Sequence, residues 1–253
     1  MIEREKYPSI FAEGPSPLVS PKYQFIKTSD ILESLSDIGW TPREMSEVRA
    51  RKPHTLGFQK HLIRLTNPGW SPAREVGDEI PEIILTNSHN GKNSFSFRVG
   101  IYRMVCSNGL VIPTEELTNI TVKHVGNMSS QIQEVVEKMT STFPSIYTDI
   151  QRMKNKELNS SQISSFSREA IRTRSITLER SSPVGYQEIL LTQRPEDEGN
   201  SLWNVYNKIQ ENLMEGNFKI GTKKGSRKGS PVRSIDREIK MNEGLWTLAK
   251  SYL

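Results

Sequence analysis

Apolar positions change their spacing about half-way along the chain. Between residues 40 and 126 they alternate or form short runs, as strands require. Thr55 to Leu65 ends in Leu62-Ile63-Arg64-Leu65, Ile80 to Thr86 follows a loop marked by Pro68-Gly69 and Pro72, and Ser94 to Met104 opens Ser-Phe-Ser-Phe-Arg-Val with period two. The last two runs flank Asn90-Gly91, a dipeptide that tolerates positive φ and closes tight hairpins. Leu110 to Ile112 reads as a short strand after a Cys106-Ser-Asn-Gly109 turn, and Asn119 to Val125 alternates again. One apolar and one polar face per strand predicts an antiparallel sheet with one side in water.

After residue 127 the step becomes three or four. Ile132, Val135, Val136, Met139, Phe143, Ile146, Ile150 and Met153 make one stripe, which predicts a long helix that Pro144 kinks or splits near Ser141-Thr142. Further helices are predicted near 161–175, 184–191, 201–215 and 235–251, and a short one over Ser29 to Ile38 that Gly39 ends. Pro195-Glu-Asp-Glu-Gly199 reads as a solvated acidic loop. Residues 1–22 hold Pro8, Pro15, Pro17 and Pro21 and read as an extended, frayed arm. The fold class is therefore α+β, an antiparallel sheet over about 40–126 followed by a long helix and a helical C-terminal half. Residues 23–253 are expected to form a single domain.

Composition narrows the function classes. At 253 residues the chain supports a real core, but only 34% of it is apolar, which leaves a large polar surface or burial between subunits. One cysteine rules out an internal disulfide framework and fits a reducing compartment. No apolar run is long enough to span a membrane, and the N-terminus lacks the apolar core of a signal peptide, so a cytoplasmic location with no membrane partner is expected.

The net charge is +5, and it has a centre. Residues 219–240 carry eight cations against Asp236 and Glu238, a net +6, so the remaining residues sum to −1. Clustered cations attract polyanions more strongly than the same charge spread evenly. Within this segment glycine recurs every fourth residue, at Gly221, Gly225 and Gly229, which predicts a flexible basic loop over 217–231. Lys223, Lys224, Arg227, Lys228, Arg233 and Arg237 are the candidate nucleic-acid-binding residues.

Candidate catalytic chemistry is thin. Cys106 with His89 or His124 could form a nucleophilic pair, but a buried small residue at a strand end is the simpler reading. His54, His61, His89 and His124 show no metal-ligand spacing, and one cysteine cannot build a structural zinc site. Glu196, Asp197 and Glu198 are an oxygen-only alternative for a cation. The glycine segment lacks the GxxxxGK[ST] pattern of a nucleotide-hydrolysing loop. No catalytic residue, metal or cofactor is expected. Phe95, Phe97, Tyr102, Trp70, Tyr186 and Tyr206 are candidates for base stacking, while Trp203 and Tyr206, three apart, and Leu245, Trp246 and Ala249 are expected in the core.

Three stretches carry a resemblance. They are Phe97 to Val111, with Arg-Met-Val-Cys-Ser-Asn-Gly at its centre, Leu202 to Glu211, and Asn242 to Ala249, with Arg233 to Arg237 between the last two. Together they resemble the phage and plasmid proteins grouped as domain of unknown function 932, over most of residues 80–250. That resemblance implies a setting of phages, prophages and plasmids and supplies no catalytic residues. Element order and size are also similar to single-strand annealing proteins of the Rad52 and phage Red-beta type, which is analogy at the level of fold. It implies a ring or filament of subunits that binds single-stranded DNA in a cationic groove and anneals strands without ATP. The alternative is a protein-binding effector of a mobile element, an anti-restriction or host-takeover factor whose basic loop meets an acidic partner.

Overall fold

Thr28–Asp37 forms α1, with Ile31, Leu32 and Leu35 buried on the expected stripe and Gly39 turning the chain at a φ of 86°. It is the first regular element of a computed structural model that describes residues 4–70, 78–103, 109–113, 128–174, 186–222 and 225–253. Five strands follow, β1 (Thr41–Glu47), β2 (His61–Thr66), β3 (Glu79–Asn87), β4 (Ser96–Arg103) and β5 (Leu110–Ile112), lying in sequential order in one antiparallel sheet. The strands expected at 80–86, 94–104 and 110–112 are present. β1 is an addition, and Thr55 to Leu65 is strand only from His61, because Pro53 opens a 3-10 turn at Pro53–Thr55. Asn119 to Val125 lies outside the described residues.

The long apolar stripe splits where proline predicts. α2 (Met128–Thr140) ends and α3 (Phe143–Asn155) begins with Pro144 in its first turn, where a missing N–H costs nothing. Next come α4 (Ser160–Arg174), α5 (Leu202–Glu215) and α6 (Ile235–Lys250). Of the helix expected at 184–191, the described residues show a single 3-10 turn, Glu188–Leu190. Between α5 and α6 the basic segment is an antiparallel hairpin of β6 (Lys219–Thr222) and β7 (Gly225–Lys228), not an irregular loop. Glycines exclude helix there but permit a short two-stranded ladder.

The chain divides into two compact units. The first holds α1, β1 to β3, the first six residues of β4, and α2; the second holds the end of β4, β5 and everything from Phe143 onward.

In the first unit the register places His61, Ile63 and Leu65 of β2 opposite Asn87, Leu85 and Ile83 of β3 on one face. α1 meets the His61 end of that face, where His61 and Asn87 both contact Thr28. The other face carries Glu44, Arg64, Glu82, Thr86 and Ser96. Leu62 and Ile84 share it, so it is mixed rather than polar, and it is not solvated. Arg64 is 1% exposed and Glu82 0%. The reason is internal pairing. Glu82 accepts from Arg64 Nη1 at 2.8 Å and from Arg43 Nε at 2.9 Å, while the Thr86 and Ser96 hydroxyls lie 2.7 Å apart. The N-terminal arm is irregular but not frayed. Ile10 and Ser9 are fully buried, and the Ser16 N–H donates to the His89 carbonyl at 2.8 Å.

In the second unit α5 is the central helix, buried from Leu202 to Met214 except at Asn204. Such a helix must satisfy its polar side chains internally. Asn212 donates to the carbonyls of Ile189 and Leu191, Gln210 to Asn242 of α6, Lys208 to the Gly199 carbonyl, and Glu211 accepts from Arg194. Trp203 and Tyr206 stack with ring centroids 5.6 Å apart, and Trp246 meets Tyr206 edge-on. All three are core residues, as the helical spacing predicts.

Candidate nucleic-acid interface

The hairpin is built on the C-terminus of α5. Gly216 caps that helix at a φ of 74°, and a Cβ there would lie 2.7 Å from the backbone of Gly229 and Ser230, so the two ends of the hairpin close only because residue 216 is glycine. The Gly229 N–H donates to the Phe218 carbonyl at 2.7 Å and the Val232 N–H to the Met214 carbonyl at 2.8 Å. Phe218 and Ile220 are buried and anchor β6. Arg174, at the end of α4, lies 4.5 Å over the Phe218 ring and donates to the Ser230 carbonyl. Partial burial lowers the Arg174 guanidinium pKa to about 10, which still leaves it charged at neutral pH. The Glu188 carboxylate accepts from the Lys219 main-chain N–H.

From this base the cations project outward. Lys219, Arg227, Lys228, Arg233 and Arg237 are exposed. Lys219 and Lys228 are direct cross-strand partners. Opposed like charges destabilise a strand pair, by about 0.2–1 kcal/mol. No Asp or Glu occurs from Lys219 to Ser234. Lys223 and Lys224 lie outside the described residues.

Other candidates part company. Cys106 and His124 lie outside the described residues. Arg98 is half-buried and donates to Ser96 at 2.6 Å, whereas Arg103 is buried in an ion pair with Asp197 at 3.0 Å and packs over the Trp203 ring. Asp197 therefore corrects the reading of 195–199 as a solvated loop. Glu196 and Glu198 are exposed, but Asp197 is 2% exposed and committed to Arg103. The described residues contain no group of three or more His, Cys, Asp or Glu able to hold a metal. Of the stacking candidates, Phe97 and Tyr206 are buried, Tyr186 faces Arg168, and Trp70 is 43% exposed.

Sequence reasoning missed one polar cluster in the first unit. His61 Nδ1 faces Ser9 Oγ and Nε2 faces Thr28 Oγ1, each at 3.0 Å. Ser9 Oγ donates to Glu47 at 2.7 Å, and Asn87 donates to Thr28. One proton arrangement satisfies every group. Asn87 donates to Thr28, Thr28 to His61 Nε2, His61 Nδ1–H to Ser9, and Ser9 to Glu47, which fixes a neutral imidazole protonated at Nδ1. Here the serine lies between the acid and the histidine and is fully buried, so it is not arranged as a nucleophile. The cluster ties the arm to the sheet. The only sequence signal was a histidine opening the largely apolar run Leu62-Ile63-Arg64-Leu65.

Residues 17–246 match the family described as a domain of unknown function, DUF932. The chain belongs to that family. The match contains the first two stretches that carried the resemblance and the third as far as Trp246. Two curated relatives from Escherichia coli K12 extend over nearly the whole chain. UPF0380 protein YafZ is 33% identical over 250 residues, and UPF0380 protein YfjQ is 34% identical over 247 residues. Each alignment covers 97% of this chain and 88% of the relative. No solved structure matches the chain, so the likeness in element order to single-strand annealing proteins gains no support. Among the described residues no helix is long and apolar enough to cross a membrane.

Proposed function

We propose that the protein binds single-stranded nucleic acid through the β6–β7 hairpin and the start of α6, in the cytoplasm of a bacterial cell. The observation that carries this reading is the hairpin itself. Lys219 opposes Lys228 across the ladder, Arg227 is exposed beside it, and the segment through Ser234 holds no carboxylate. A phosphate backbone turns that repulsion into attraction, because each neutralised phosphate releases condensed counterions. Separate Lys and Arg charges along a strand pair suit a string of phosphates better than one compact anion. Contact to phosphates alone leaves base edges free, so a second, complementary strand can pair without nucleotide hydrolysis.

Fluorescence anisotropy with a labelled single-stranded oligonucleotide across a salt series tests this. Four phosphate contacts give a log-log slope of about −3. Replacing Lys223, Lys224, Arg227 and Lys228 by Glu abolishes binding on this reading. Unchanged affinity in that variant would sink it, and a stoichiometric protein retained from nuclease-treated lysate by the same residues would replace it with the effector reading.

A further inference from the structure

The hairpin is not the molecule's only cationic surface. The connection between β1 and β2 runs from residue 48 to residue 60, Val-Arg-Ala-Arg-Lys-Pro-His-Thr-Leu-Gly-Phe-Gln-Lys, with four cations and no carboxylate. With this segment and residues 219–240 set aside, the rest of the chain carries a net −5. Its 13 residues far exceed the roughly two to five that close an ordinary hairpin. A long connection inside a compact unit is either loose or built for a purpose, and this one is built. The Val48 N–H donates to the Lys60 carbonyl at 2.8 Å and closes the base. Inside it the N–H groups of Thr55, Leu56 and Phe58 donate to the carbonyls of Lys52, Pro53 and Thr55. Gly57 takes a φ of 86° to make the turn back, and the His89 N–H donates to the Phe58 carbonyl, which fastens the returning limb to the sheet.

This folded loop turns its cations outward. Arg49, Arg51, Lys52 and His54 are all exposed, and so are two aliphatic side chains, Val48 at 44% and Leu56 at 57%. Exposed cations gathered in an ordered loop with no carboxylate among them make a local positive field that attracts a polyanion. Cations beside apolar surface match a ligand with both phosphates and unpaired base faces. Two of the three exposed full charges are arginines, whose planar guanidinium binds phosphate in a fork and also stacks on bases. A membrane surface needs a broad apolar face, and two aliphatic side chains do not make one.

We infer that the β1–β2 connection, through Arg49, Arg51 and Lys52, is a second contact for single-stranded nucleic acid, on a different unit of the chain from the basic hairpin. The inference rests on the nucleic-acid reading of the hairpin and extends it to a second segment of the chain.

The test is the salt dependence of binding to a labelled 40-nucleotide deoxythymidine strand, measured for the full chain and for Arg49→Gln/Arg51→Gln/Lys52→Gln. All three side chains are exposed, and circular dichroism confirms that the variant folds. Loss of three phosphate contacts lowers the log-log slope by about 2 and the affinity at 0.1 M salt by about 100-fold. The hairpin variant Arg227→Gln/Lys228→Gln is run alongside to separate the two claims. If the hairpin variant weakens binding while the loop variant matches the full chain in slope and affinity, the second contact is overturned and the hairpin reading stands. If the full chain does not bind the strand even at low salt, both are overturned. Binding is also measured to vesicles of 30% phosphatidylserine in phosphatidylcholine. A loop variant that loses vesicle binding but keeps strand binding overturns the inference in favour of a membrane surface.

Discussion

Acid should weaken the first unit through two buried histidines, and the size of the effect follows from their surroundings. His61 and His89 are each fully buried, with ring centroids 5.3 Å apart. Burial lowers the His61 pKa from 6.5 to about 3, with the neighbouring His89 charge a further lowering cause and the Gln59 carbonyl a raising one. Burial lowers His89 to about 4, and the nearby Ser9 main chain works the other way. Neither ring nitrogen of His89 makes a side-chain hydrogen bond of ordinary geometry, and its ring packs against Phe25 at 4.8 Å. Both folded-state values lie below the unfolded one. The unfolded chain therefore takes up protons that the folded chain refuses, and stability present above pH 6.5 is lost as pH falls toward 4.

Between pH 7.5 and pH 5.0 each histidine accounts for about 2 kcal/mol of lost stability at 1.36 kcal/mol per unit, so the pair accounts for about 4 kcal/mol. Titrating carboxylates add their own share, so the discriminating quantity is a difference between proteins. Replacing His89 by Leu removes one titrating group and one buried, poorly satisfied ring at similar volume. Urea unfolding at pH 7.5 and 5.0, followed by circular dichroism, should show that His89→Leu loses about 2 kcal/mol less than the unaltered protein across that interval. At pH 7.5 the variant should be no less stable, since an unsatisfied buried polar group has been taken away. Parallel pH dependence in the two proteins would refute the reasoning, because it would mean that His89 titrates in the folded state as freely as in the unfolded one.

Two further substitutions test the second unit. Asp197→Ala leaves Arg103 buried without its partner and should cost about 3–5 kcal/mol in urea unfolding; a loss below about 1 kcal/mol would show that Arg103 finds another counter-charge. Gly216→Ala forces a side chain into a left-handed conformation and against the Gly229 and Ser230 backbone, so it should cost at least about 1–2 kcal/mol and weaken oligonucleotide binding. Gly14→Ala, where a Cβ meets nothing within 4 Å, is the control and should change neither.

Local rules written into the sequence were the legible ones. Pro144 divides α2 from α3 because a missing N–H acts at one position, and Gly91 turns between β3 and β4 at a φ of 73° for the same kind of reason. Partnerships across long stretches of chain were not legible. Arg64, Glu82 and Thr86 suggest a face turned to water, but Glu82 is held by Arg43 and Arg64, which lie 39 and 18 residues away. Ser9 is fixed by Glu47 and His61, so an arm that proline content marks as irregular is nonetheless packed. Asp197 reads as one of three equivalent acids until Arg103 selects it. The basic hairpin fell between these cases. Its glycines correctly excluded a helix, but the features that order it are Phe218 and Ile220 buried at its base and Gly216 under Gly229, none of which shows in a count of charges.

These buried charges, held by internal counter-charges, stand against a hairpin whose strands set lysine opposite lysine, and that contrast yields a test needing no ligand. Repulsion between Lys219 and Lys228 acts within the Debye length, about 10 Å at 0.1 M salt and longer below it. Added salt therefore stabilises the hairpin of the free protein, by up to the 0.2–1 kcal/mol that an opposed like-charge pair costs. The same salt weakens nucleic-acid binding, because counterion release becomes less favourable. The two salt dependences have opposite signs. Hydrogen exchange at the Gly229 amide, which donates to the Phe218 carbonyl and closes the ladder, reports the first. Raising salt from 0.05 to 0.5 M should slow that exchange by about 1.4- to 5-fold in the free protein. Exchange that is indifferent to salt, or faster in it, would show that the opposed lysines do not repel as placed, and the hairpin would lose its main physical reason to seek a polyanion.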